Sequence, residues 1–152
     1  NDFAAKAVLQ ALPSIRDAFY LIQNDDPESM PSAKLQAVLT KLATNVGKDE
    51  SVPSCLRDHL LALARHYEGS HDEAEDLYLK ALKEYDQIAG ATLLSAVCQA
   101  DLGELKFSMA DFDDAAFRFR LAAAKAQSAG PPALEFDIYA KCREVDSLRR
   151  TA

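Results

Sequence analysis

Apolar residues recur at three- and four-residue steps along most of the chain, and the breaks between runs fall at glycine, proline and capping residues. Residues 3–23 form the first run. Pro13 lies inside it and predicts a break there, because proline removes a backbone hydrogen bond and crowds the preceding turn. Ser14 and Asp17 have the spacing of a helix cap. Residues 24–31, NDDPESMP, read as a loop by turn chemistry. Residues 32–46 form a second run, with Leu35, Val38, Leu39 and Leu42 on one face, and residues 47–53, GKDESVP, a second loop. A helix is predicted over 54–68, ended by Gly69. Ser70 and Glu73 form a capping box for the next, which reaches about Gly90. A third is predicted over 92–110. Asp111 and Asp114 cap a fourth in the same way, with acid suited to the helix dipole. Gly130-Pro131-Pro132 closes that helix and opens a last one, to about Arg150. No stretch reads as a strand, so the predicted class is all-α.

The two capped helices repeat one spacing of large and small residues. Ser70 and Asp111 are 41 residues apart, as are Ala74 and Ala115, Tyr78 and Phe119, and Ala81 and Ala122. The preceding helices match at the same offset, Leu61 with Leu102 and Ala62 with Gly103. A unit of two helices recurring at a fixed offset predicts an α-solenoid. Small residues would let two helix axes approach, with Ala74 and Ala115 facing Ala62 and Gly103. Tyr78 and Phe119 are expected to fill the space between adjacent units. The alternative is an ordinary amphipathic bundle whose internal similarity is accidental.

On these residues the chain resembles the tetratricopeptide repeat family, whose pattern sets Leu-Gly in the first helix and Ala-x-x-x-Phe in the second. Leu102-Gly103 and Ala115-x-x-x-Phe119 match it. Leu61-Ala62 and Ala74-x-x-x-Tyr78 match with conservative changes. The family's early Trp falls at Asp58 and Gln99, its first-helix Tyr at Arg65 and Lys106, and its closing Pro at Asp86 and Gln127. The unit is about seven residues longer than the usual 34, close to two helical turns, so the added length keeps the faces in register. Long units of this kind look like those of kinesin light chains, a similarity carried by GKDESVP and HYEGSHDEAEDLYLKAL. The resemblance implies a right-handed α-solenoid of antiparallel hairpins: a divergent pair or cap over 1–46, two hairpins over 47–130, and a capping helix or half repeat over 131–152.

The resemblance also implies a concave groove lined by first helices. The family's groove positions fall on Leu56, His59, Leu63 and His66, then on Val97, Ala100, Glu104 and Phe107, and in the last helix on Ile138, Lys141, Val145 and Leu148. The Lys and Asn with which some members hold a terminal carboxylate are nearly absent there. A mixed apolar lining with one Glu implies an amphipathic helix or extended apolar segment as ligand. For the last helix, the alternative is that Ile138, Val145 and Leu148 turn inward and cover the core.

Composition narrows the rest. A length of 152 residues suits one domain, and 49% apolar with 27% charged residues is ordinary for a soluble globular protein. The net charge is −7, and residues 51–110 hold 10 acidic against 5 basic side chains. No basic stripe exists to neutralise phosphates, which speaks against nucleic acid. The acidity either serves solubility or steers a basic partner. No apolar run approaches the ~18 residues of a membrane span. Cys55, Cys98 and Cys142 are odd in number and far apart, which reads as reduced, half-buried thiols in a cytoplasmic setting. The chain opens on Asn1 rather than Met, as expected of an excised fragment.

Candidate chemistry is sparse. Cys55 and His59 share a helical face, but a zinc site needs about four ligands and few are at hand, so no metal and no cofactor is expected. Acidic pairs such as Asp113-Asp114 sit at helix starts, where the dipole accounts for them. No nucleophile elbow, phosphate loop or dinucleotide glycine pattern occurs. Phe117 to Arg120 interleave aromatics with cations, but on a helix they point in different directions. The chain is therefore expected to be a scaffold or adaptor that binds another protein and catalyses nothing. The alternatives are a structural subunit docking through outer or end faces, and a helical enzyme or ligand-binding domain.

Overall fold

The computed structural model describes residues 40, 41, 43, 44, 48, 53–129 and 143–149. The expectations for the N-terminal pair, for Pro13, for Ile138, Lys141 and Cys142, and for the start of the last helix lie outside these residues. The described residues are helical throughout apart from turns, with no strand among them. Four helices are described: α1 Ser54–Glu68, α2 His71–Tyr85, α3 Thr92–Ser108 and α4 Phe112–Ala129. Residues 143–149 add a helical segment. The chain divides into two compact units between Ala89 and Gly90. α1 packs on α2 in the first unit, and α3 on α4 in the second.

Each hairpin turns in the same way. α1 ends with Gly69 in the left-handed region, φ 90°, where the missing Cβ removes the steric penalty. Gly69 N–H then donates to His66 O (3.1 Å) and Ser70 N–H to Arg65 O (2.9 Å), a Schellman ending. The second hairpin repeats it 41 residues on. Ala110 stands at φ 60°, its N–H donates to Phe107 O (3.0 Å), and Asp111 N–H to Lys106 O (2.9 Å). This is why α3 stops at Ser108 rather than at the expected Ala110: the chain has already left helical dihedrals. An alanine holds a position that geometry would give to glycine.

The same turn corrects the expected capping box. Ser70 makes no side-chain cap bond. In a capping box Glu73 would accept from the Ser70 N–H, but that N–H is committed to Arg65 O. Glu73 pairs instead with Arg65, Oε1 to Nε 3.2 Å. Asp111 does cap, accepting from Asp114 N–H at 3.3 Å.

Cross-helix ties recur at the same offset. Arg65–Glu73 has its counterpart in Lys106–Asp114 (3.4 Å). Ser54 Oγ donates to Glu84 Oε2 (2.8 Å), and Lys125 Nζ donates to Ser95 Oγ (2.6 Å), the same positions with the charge reversed. His66 and His71 stand edge to face at 6.4 Å, as Phe107 and Phe112 do at 5.5 Å.

The small residues are inside. Ala62, Ala74, Ala81, Ala115 and Ala122 have no exposed surface, and Gly103 is buried. A Cβ built on Gly103 would fall 2.9–3.0 Å from ring carbons of Phe119. Phe119 therefore lies over the bare backbone of Gly103, inside its own hairpin. The departures from the Trp position are interior too: Asp58 is 1% and Gln99 6% exposed. A buried carboxylate needs a counter-charge, and Asp58 has Arg57 at 3.6 Å and Lys80 at 3.8 Å.

In the second unit, residues 143–149 lie along α4. Val145 has no exposed surface and belongs to one apolar cluster with Ala96, Ala115, Ala116, Phe119, Ala122, Ala123 and Ala126.

Candidate functional site

The candidate groove residues of α1 follow steps of three and four and share a face, but most of that face is covered. Leu56, His59 and Leu63 are 0%, 2% and 3% exposed. His59 is held in place by α2: its Nδ1 lies 3.1 Å from Tyr85 Oη, and its ring stands edge-on to Tyr78 and Tyr85. His66, one turn from the helix end, is half-buried and stacks on Tyr67.

The equivalent face of α3 is less deeply covered. Val97, Ala100, Glu104 and Phe107 recur at steps of three, four and three, and all four are half-buried. Ala100 and Phe107 rest on the core cluster of the second unit, so the stripe has a fixed floor. It offers three apolar side chains and one carboxylate, a surface suited to an apolar ligand face. In residues 143–149, Val145 turns inward, while Leu148 keeps 37% of its surface exposed.

A concave feature lies in the same unit. Ala110, Asp111, Phe112, Asp113, Arg120, Asp146 and Arg149 line an open cleft of about 710 Å³. Arg149 reaches Asp113 (2.8 Å) and Asp146 (3.3 Å), and Asp146 also meets Arg120 (3.1 Å). Sequence spacing alone does not join these charges: at that level the helix dipole accounts for Asp113, and Arg120 is one of the cations interleaved with aromatics. The signal was present: opposite charges seven apart on one helix face, and an opposite pair three apart on another.

Neither Cys55 nor Cys98 is in a disulfide, and both are fully buried rather than half-buried as expected. Burial, with help from the Glu84 and Asp58 carboxylates, pushes the Cys55 thiol up to about 12, so it stays protonated and unreactive near neutral pH. Among the described residues no three His, Cys, Asp or Glu side chains gather where a metal ion could be held. No helix among them is long and apolar enough to cross a membrane. Comparison with known proteins finds no matching family model, no matching curated protein and no matching solved structure.

Proposed function

We propose that the chain is a protein-interaction module of the tetratricopeptide-like α-solenoid class, taking an amphipathic helix or extended apolar segment along α3. The observation that carries this reading is the half-buried stripe of Val97, Ala100, Glu104 and Phe107, of which Ala100 and Phe107 rest on the core cluster. The repeated hairpin construction supports the solenoid part: turns, ion pairs and aromatic pairs recur at one offset. Surplus acid over residues 51–110 favours a partner with basic residues beside its apolar face. Two buried cysteines outside any disulfide suit a reducing compartment such as the cytoplasm. A catalytic role would need ionisable groups converging in a closed pocket. The cleft described above is open, and its arginines are engaged by aspartates.

A second reading rests on other faces. Leu79 and Phe117 leave 39% and 51% of their surface exposed, which favours a structural subunit docking through those sides of α2 and α4. The test is pull-down with cross-linking, repeated with a Val97→Ser/Glu104→Lys variant. Loss of the partner at unchanged helicity supports the α3 stripe. Undiminished capture moves the site elsewhere. Leu63 is not a useful test position, because at 3% exposure its replacement by a polar residue would disturb the core.

A further inference from the structure

We propose that residues 143–149 act as a displaceable strap, occupying a seat on α4 that fits a partner helix of the same chemistry. Asp113, Ala116, Arg120 and Ala123 recur at steps of three and four, so they share one face of α4. Ala116 and Ala123 are buried in the cluster that includes Val145. Asp113 and Arg120 stand on either side of Ala116 and pair with Arg149 and Asp146. The higher number on α4 meets the lower number on the strap, so the two run antiparallel. The seat is an alanine floor of Ala116 and Ala123, with the Asp113 carboxylate at one end and the Arg120 guanidinium between the two alanines. Its ligand is a helix with an aliphatic residue, an acid next to it, and an arginine one turn further on, as Val145, Asp146 and Arg149 are placed.

The floor and the strap are held very differently. Phe119, Ala115 and Ala122 are fixed inside the α3–α4 hairpin, with the Phe119 ring over Gly103. Of the strap's seven described residues only Val145 is buried, and five are exposed. The ion pairs that join it to α4, beside the buried Val145, are open to solvent: the Asp113 side chain is 86% exposed and that of Arg120 59%. Such pairs hold weakly and are screened by salt. A rigid apolar floor beneath a largely exposed cover is a helix site already filled by its own chain. A partner helix gains the seat by matching the strap's one buried side chain and two charges while adding contacts of its own.

The experiment titrates the full chain with a fluorescent synthetic peptide carrying the sequence of residues 131–150. Two loosened variants, Arg149→Glu and Val145→Ser, are compared with the wild type, their helicity checked by circular dichroism. Both are expected to bind the peptide about tenfold more tightly than the wild type, because their own strap competes less. A peptide with Val145→Asp should lose binding, and added salt should weaken it. Val97→Ser/Glu104→Lys should leave the peptide affinity unchanged, which separates this seat from the α3 stripe. Equal affinity for wild type and both variants, no binding to any of them, or full binding by the Val145→Asp peptide overturns the proposal.

Discussion

Gly103 offers a test in which the sign of the result is decisive. In a helix interior, Gly→Ala ordinarily stabilises by about 1 kcal/mol, because alanine loses less backbone freedom on folding. At Gly103 the added methyl would stand 2.9–3.0 Å from three ring carbons of Phe119, closer than van der Waals contact allows. The ring cannot swing clear. It is 1% exposed, and Ala115 and Ala122, four residues before it and three after, are buried on the same helix. Overpacking of this kind costs about 1–3 kcal/mol. Gly103→Ala should therefore destabilise by up to about 2 kcal/mol once the gain in helix propensity is subtracted. Phe119→Leu removes the obstruction, so in that background the same change should be neutral or stabilising by up to about 1 kcal/mol. Urea unfolding followed by circular dichroism of the four proteins gives both values. A Gly103→Ala protein more stable than wild type by the full propensity gain would refute the close approach of Phe119 to the α3 backbone.

Other outcomes follow from the turns and the interior. Ala110→Gly should stabilise by about 0.5–1 kcal/mol and Gly69→Ala destabilise by a similar amount, since both positions have positive φ; thermal unfolding measures each. Cys55 should resist thiol reagents at pH 8 in the folded protein and react at once in denaturant, monitored by mass spectrometry. Its thiol is raised from 9.0 to about 12 by burial, so stability should fall as pH climbs through that window, because the unfolded thiol ionises there while the folded one keeps its proton. Asp114→Asn should be more harmful than Glu73→Gln in urea unfolding. Asp114 faces both the nearly buried Lys106 and Arg118, whereas Glu73 is 60% exposed.

Local chemistry made much of the fold legible. Gly69 and the flanking periodicity placed α1 at its observed bounds, and the small residues at 62, 74, 103 and 115 were recognisable as interior from their repetition. What escaped was set by backbone geometry or by distance. Alanine carries no sign of a left-handed turn, so Ala110 was read as the end of a helix; its equivalence to Gly69 was the available clue. Ser70 and Glu73 have capping-box spacing, yet a Schellman turn had already taken the Ser70 N–H. On the candidate site, periodicity grouped residues by helix face but could not tell which face was covered. Leu56, His59 and Leu63 follow the same spacing as Val97, Ala100, Glu104 and Phe107, and only packing separates buried from half-exposed. The charges joining α4 to residues 143–149 depend on an antiparallel register that spacing alone does not supply.

The most direct measurement of the proposed function is site-specific photo-cross-linking in cell extract, with a photoreactive amino acid placed in turn at Val97 on the α3 stripe and at Phe117 on the exposed side of α4. The expected result is one partner captured from position 97 and not from 117, lost when Glu104 is reversed to Lys. Capture from 117 alone would contradict the α3 account and favour docking through the outer side of α4.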